Sequence, residues 1–113
     1  GKLHFTDRTG ADTVLPFSRS LISVGGYSGR PNISPKVSID EGIVVIAAHK
    51  SGLSDIRYNI TNVDEYSQIN YMDINASGSL WFLTLVKVKN MKTTSVINFG
   101  NDLDFAACLI QKY

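Results

Sequence analysis

The sequence predicts an all-β fold, namely an antiparallel two-sheet sandwich of immunoglobulin-like or jelly-roll type with about eight or nine short strands. β-branched and aromatic runs, separated by turn residues, recur at roughly the 8–12-residue spacing typical of all-β proteins, and helical periodicity is hard to find. The 113 residues suit a single domain, and a hydrophobic content of 43% with 19% charged residues supplies a core. A partly open barrel is the second architecture that this pattern allows.

The first part of the chain alternates strands with glycine- and proline-rich connections. A strand at residues 21–24 ends at the glycine pair 25–26. The following segment, residues 27–35, holds two prolines and a glycine, so it is predicted to be the longest irregular stretch.

A β-hairpin is predicted next. Residues 36–39 alternate polar with apolar side chains, and residues 40–42, Asp-Glu-Gly, have the composition of a tight turn. The second arm, residues 43–48, is apolar on both faces. A strand of this kind is central and covered on two sides, either by a second sheet or by an oligomeric partner.

The middle of the chain gives one clear strand and one unclear region. Ile56, Tyr58 and Ile60 alternate with polar residues, which predicts a half-buried strand. Residues 62–76 show no consistent period and are predicted to be mostly irregular. Within them, residues 63–69 could form a helical turn or a loop, and residues 71–74 a short edge strand.

The last part of the chain contains the longest predicted strand, residues 80–89, whose end carries alternating lysines. Its aromatic residues Trp81 and Phe82, together with Phe99, are expected in the core. After a turn at residues 90–92, residues 94–99 are expected to return antiparallel to this strand, and residues 104–111 close the domain.

Charge and cysteine content exclude several classes of protein. A net charge of +1 and a pI of about 8.1 do not suit a dedicated nucleic-acid domain. The single cysteine, Cys108, cannot form an internal disulfide, and it lies in an apolar run where a buried, inert thiol is expected. No apolar stretch approaches the 18 or so residues of a membrane span, and no signal segment is visible. Because the chain begins with Gly1, we expect a processed product or an excised fragment of a larger protein.

Enzyme signatures are missing from the sequence. It has no Walker A motif, Rossmann fingerprint, GxSxG elbow or HExxH motif, so a non-enzymatic function is predicted. The alternative is an enzyme or accessory domain in which Asp102, Asp104 and His49 converge on one cleft. The oxygen-rich stretch around Asp102 and Asp104 would then hold Ca²⁺. No other cofactor is predicted.

Candidate binding residues fall into two groups. Tyrosines in or beside polar segments suit adaptable recognition surfaces, because tyrosine brings a large contact area at little entropic cost. Lysines near the end of the longest strand could bind an anionic sugar or surface, although lysines also protect sheet edges from aggregation. The predicted ligand-binding residues are Tyr27, Arg30, Tyr66, Tyr71, Lys87, Lys89 and Lys92.

These observations favour a non-enzymatic binding or assembly module of an extracellular or virion-type structure, for example a phage fibre tip. It would recognise a carbohydrate or protein surface through its loops, without nucleic acid or membrane insertion, and would form a homo-oligomer. A second alternative is an intracellular structural adaptor in the cytoplasm, which the free cysteine permits.

Overall fold

The protein is described here by a computed structural model that covers residues 3–15, 21–52 and 55–112. Within these ranges all regular secondary structure is β-strand, which confirms the all-β prediction. No helix in these ranges is long and apolar enough to cross a membrane. The strands, in chain order, are β1 (Leu3–Thr6), β2 (Asp12–Leu15), β3 (Leu21–Gly29), β4 (Ile39–Ser51), β5 (Tyr58–Thr61), β6 (Glu65–Ala76), β7 (Ser79–Met91), β8 (Val96–Phe99) and β9 (Leu103–Lys112).

The largest unit is a five-stranded antiparallel sheet in the order β3-β9-β4-β7-β6. Its central strands β4 and β7 have 13 residues each, so they are longer than the short strands that the sequence predicted. Two smaller sheets, β1-β2 and β5-β8, complete the described fold. At the β5-β8 pair, the backbones of Ile33 and Ile97 exchange two hydrogen bonds, which fix the preceding proline-containing segment against β8.

One face of the five-stranded sheet forms the main hydrophobic core, and we call it the inner face. Val44, Val86 and Ile110 lie side by side on this face and are fully buried. The same core includes Ile60 of β5 and Ile97 of β8. Burying this face against the β5-β8 pair removes the apolar side chains of both from water, which is the dominant favourable term in folding.

The opposite face, which we call the outer face, is covered over only part of its length. Phe5 of β1 packs there against Ile43 and Leu85 in a second, smaller core. The prediction that residues 43–48 are covered on both faces is therefore only partly right, because Ala47 near the other end of β4 lies in an open depression. Strands of four residues span roughly 13 Å, whereas the 13-residue strands span about 43 Å, so the β1-β2 hairpin is too short to cover the whole face.

The predicted turn at residues 40–42 is wrong, because these residues lie inside β4, and residues 36–38 form no strand. A glycine is required at position 42 because the backbone of β9 lies very close to it. A Cβ atom at this position would lie 2.8 Å from the carbonyl oxygen of Gln111 on β9. In the sequence Gly42 suggested a turn, but in the structure its missing side chain lets β9 pass close to β4.

The region predicted to be mostly irregular, residues 62–76, is instead mostly β6, an edge strand that includes the short edge strand considered for residues 71–74. It joins β7 through Ser77 and Gly78, which both have positive φ values, 52° and 77°. Two central residues with positive φ are typical of tight β-hairpin turns, whose twist matches that of the strands. The pattern of β6 is not visible in the sequence because a register shift between Gln68 and Asn70 interrupts its alternation.

Two further expectations are corrected. The strand after β7 does not return along it, because β8 pairs with β5. Tyr27 does not open a loop, because the backbone of β3 continues to Gly29 and Tyr27 pairs with Ala106.

Candidate functional site

The open end of the outer face carries four side chains that lie side by side, one from each of four adjacent strands. Ile74 of β6 pairs with Trp81 of β7, Trp81 pairs with His49 of β4, and His49 pairs with Phe105 of β9. Residues that are directly opposite on neighbouring strands point to the same face of a sheet. With strands about 4.8 Å apart, this row is roughly 15 Å long, and we call it the open row.

The open row exposes apolar side chains to solvent. Trp81 is 52% exposed, Phe105 43% and Ile74 41%. Together with Ala47, Met72 and Leu83 from the next row, they line a depression of about 200 Å³. The residues around it are apolar throughout: Ala47, Ala48, Met72, Ile74, Trp81, Phe82, Leu83 and Phe105.

His49 is the polar member of the open row, and it is held on two sides. Its ring stacks on Trp81 with centroids 4.1 Å apart and planes inclined at 34°. Its Nδ1 lies 3.3 Å from Oδ2 of Asp104. The imidazole therefore orients the indole beside it, while a carboxylate orients the imidazole.

Asp104 is itself fixed by the end of β4. The backbone N–H and the hydroxyl of Ser51 both donate to Oδ2 of Asp104, each at 2.6 Å. These hydrogen bonds, with a smaller contribution from the charges of His49 and Lys50, hold the pKa of the Asp104 carboxyl below its ordinary value. The carboxylate thus ties together the ends of β4 and β9 at the margin of the open row.

This cluster differs from a catalytic triad in one respect. In a triad the nucleophilic hydroxyl bonds to the imidazole and the carboxylate bonds to the other ring nitrogen. Here the hydroxyl of Ser51 bonds to the carboxylate. Of the three side chains in the alternative enzyme hypothesis, His49 and Asp104 meet, whereas Asp102 accepts a hydrogen bond from Nε of Arg30 at 2.9 Å.

The calcium site remains a prediction. The oxygens of Asp102 and Asp104 bond to different protein groups, Arg30 for the first and Ser51 for the second. Across residues 3–15, 21–52 and 55–112, no group of three or more His, Cys, Asp or Glu side chains is arranged to hold a metal ion.

Three of the predicted ligand-binding residues do come together. Tyr66, Lys87 and Lys89 line a depression of about 190 Å³ at the opposite end of the sheet from the open row. Lys89 lies between two carboxylates on the neighbouring strands, Glu41 and Glu65. These carboxylates offset the positive charge that an anionic ligand would need.

The other predicted ligand-binding residues are dispersed. Arg30 is engaged with Asp102, Lys92 follows the end of β7, and Tyr71 lies exposed on β6. The backbone of Tyr27 lies in β3, and its side chain is outside the described part of the chain.

The open row differs from the sequence prediction, in which Trp81 lies in the core. Phe99 is buried and Phe82 is partly buried, as expected, but Trp81 is exposed. Trp81 and Phe82 are consecutive in one strand, so their side chains point to opposite faces. This alternation is the sequence feature that indicates that Trp81 and Phe82 cannot both face the same core.

Burial of Cys108 is confirmed, and it raises the pKa of the thiol to about 12, which makes it unreactive.

Comparison with known proteins gave no relative from which a role for the open row could be drawn. No protein-family model, curated protein or solved structure matches this chain.

Proposed function

We propose that this protein is a non-enzymatic binding or assembly module, and that the open row is the surface through which it contacts a partner protein. The single observation that carries the proposal is the contiguous exposure of Ile74, Trp81 and Phe105 around one depression. Isolated exposed apolar residues are normal on protein surfaces, whereas contiguous apolar patches mark interaction sites. The contact surface is therefore a sheet face and not the loops that the sequence suggested.

The chemistry of the open row favours a protein over a glycan. Aromatic rings could stack on a sugar, but a sugar also needs polar groups that bond to its hydroxyls. The residues lining the depression are all apolar. An apolar side chain of a partner protein would fill the depression, and His49 and Asp104 would lie at the rim of the interface.

The size of the open row suits the centre of a protein interface. A fully exposed aromatic side chain presents roughly 150–250 Å². Because Trp81 and Phe105 are each about half exposed, they contribute about 200 Å² of accessible surface. A standard interface buries about 800 Å² per partner, of which only the centre is strongly apolar. Tryptophan is also among the residues that most often dominate binding energy.

We further propose that the two layers form an antiparallel two-sheet sandwich of immunoglobulin-like or jelly-roll type, presented by an extracellular or virion-type structure such as a phage fibre. The shared core of the five-stranded sheet and the β5-β8 pair supports the layered arrangement. Such a scaffold holds a binding surface rigidly, because the open row lies on paired strands.

The experiment immobilises the full chain and captures proteins from an extract of the source organism or its virions. We expect a specific protein to be retained by the wild type and by Tyr71→Ala, an exposed aromatic residue outside the open row. The double variant Trp81→Ala/Phe105→Ala should bind this protein at least about tenfold more weakly. Circular dichroism verifies that the variants fold.

The proposal fails if the captured protein binds the double variant and the wild type equally. It also fails if a glycan array gives a ligand whose binding depends on Trp81, since the row would then be a sugar platform.

A further inference from the structure

The edge strand β6 concentrates exposed apolar side chains. Of the seven large hydrophobic residues that are exposed in the described part of the chain, four lie on this strand. They are Tyr66, Ile69, Tyr71 and Ile74. The sheet order places β6 at one edge, with β7 as its only partner strand among the described strands. Long edge strands with exposed apolar residues are templates for pairing with another chain.

β6 lacks the residues that usually protect an edge. Its 12 residues, EYSQINYMDINA, contain no lysine, arginine or proline. A register shift at Ile69 is one protective feature, because a bulge bends the strand. The carboxylates Glu65 and Asp73 are its only charges.

Two side-chain contacts identify the backbone groups that point away from β7. The carbonyl of Asp73 accepts a hydrogen bond from Nη1 of Arg8 at 3.0 Å. The N–H of Tyr71 donates to Oδ1 of Asn70 at 2.9 Å. Because backbone polar groups alternate in direction along a strand, residues 71 and 73 both direct theirs to the outer edge. Arg8 and Asn70 therefore occupy positions where a further strand would bond.

We propose that β6 is a strand-pairing edge that adds, antiparallel, to β6 of a second copy of this chain, and that Arg8 and Asn70 compete with this pairing. A two-fold axis perpendicular to the sheet at Met72 would place each Tyr71 beside Asp73 of the second copy. These two pairs exchange the outward hydrogen bonds, and no carboxylate faces another carboxylate. The result is a continuous ten-stranded sheet built from two five-stranded sheets.

The strand that pairs with β6 is the β6 strand of a second copy of this chain, because this edge is complementary to itself. In this register Ile74 lies beside Asn70 of the other copy, and the two Met72 residues lie directly opposite. Pairing of identical strands about a two-fold axis also closes the assembly as a dimer. The edge shares Ile74 with the open row, but the pairing uses the outward backbone groups of β6, so the inference does not depend on the function proposed above.

Sedimentation equilibrium of the full chain, from ten to several hundred micromolar, tests the inference. We expect the wild type to dimerise weakly and Arg8→Ala to dimerise at least several-fold more tightly. The control Arg57→Ala, which alters an exposed arginine immediately before β5, should match the wild type. Tyr71→Pro removes the outward N–H and leaves the backbone hydrogen bonds between β6 and β7 in place, so it should abolish the dimer. Ile69→Lys should do the same if the proline variant does not fold.

A disulfide tests the register. Met72→Cys should form an intermolecular disulfide under mild oxidation, because residues facing each other in a non-hydrogen-bonded pair lie close enough for the bond. Ser67→Cys is the control, which should remain reduced.

The inference is overturned if the wild type and Arg8→Ala are both monomers over the whole range, or if Tyr71→Pro and Ile69→Lys leave a dimer intact. It is also overturned if Trp81→Ala/Phe105→Ala becomes monomeric, since the dimer would then use the open row. If the variants of β6 and Arg8 contradict the dimer, the partner-binding test of the open row still stands, because it uses different variants and a different measurement.

Discussion

The imidazole of His49 and the indole of Trp81 pack ring to ring, with centroids 4.1 Å apart. His49 is in turn held by Asp104, and Asp104 by Ser51. Asp104 thus acts on the exposed indole only through His49. An aromatic residue that is half exposed keeps one orientation when such contacts restrict it, which lowers the entropic cost of binding a partner.

The first prediction concerns this stack. Trp81 is the only tryptophan, so tryptophan fluorescence reports on the open row alone. We expect His49→Ala to shift the emission to longer wavelength and to increase quenching by acrylamide, because one side of the indole loses its cover. His4→Ala, which alters an exposed histidine of the β1-β2 hairpin, should leave the spectrum unchanged. An unchanged spectrum in His49→Ala would show that the imidazole does not hold the indole.

The second prediction is a pH dependence. The pKa of Asp104 is lowered in the folded protein, chiefly by the Ser51 hydroxyl. The ionised carboxylate therefore stabilises the fold above its ordinary pKa, and this contribution is lost as the pH falls through the lowered value. We expect Asp104→Asn to be less stable than the wild type at pH 7, with a difference that shrinks below about pH 4. Urea unfolding at pH 7, 5 and 3 measures it.

Asp102→Asn is the matched control for this experiment. Its carboxylate forms an exposed pair with Arg30, and exposed pairs contribute little to stability. A difference between wild type and Asp104→Asn that does not change with pH would contradict the prediction.

The third prediction tests the close approach at Gly42. In Gly42→Ala the new Cβ would lie 2.8 Å from the backbone carbonyl oxygen of Gln111, so β4 and β9 must move apart. Overpacking of this kind costs about 1–3 kcal/mol in the free energy of unfolding. Gly100→Ala is the control, because its Cβ would meet only Arg57 Cβ at an ordinary 3.6 Å. Equal stability of the two variants in urea would mean that the strands are not this close.

The fourth prediction concerns Ser95, which is fully buried in the turn between β7 and β8. Its hydroxyl donates to the carbonyl of Asn62 at 2.6 Å and accepts the N–H of Lys92 at 2.8 Å. Ser95→Ala leaves both backbone groups without this partner, so we expect a loss of about 1–3 kcal/mol. Ser38→Ala, at an exposed position, is the control. If thermal unfolding of Ser95→Ala matches that of the control, the hydroxyl is not structural.

Local pattern was enough to predict some elements. Alternation at Ile56, Tyr58 and Ile60 predicted which side chains face the core, because a strand sends successive side chains to opposite faces. The apolar neighbourhood of Cys108 predicted its burial. For β6 the sequence indicates at most a short strand at residues 71–74, because the bulge breaks the alternation of the full strand. Gly42 does not identify a turn, because glycine suits a turn and a close approach equally well.

The all-β class follows from local sequence, since short runs of β-branched and aromatic residues between turn residues are typical of strands. Which apolar faces are covered depends on the packing of distant strands. Trp81 and Phe82 are adjacent and similar in hydrophobicity, yet the β5-β8 side covers Phe82 and the short β1-β2 hairpin leaves Trp81 open. Coverage depends on the lengths and positions of distant strands, and no local pattern records them.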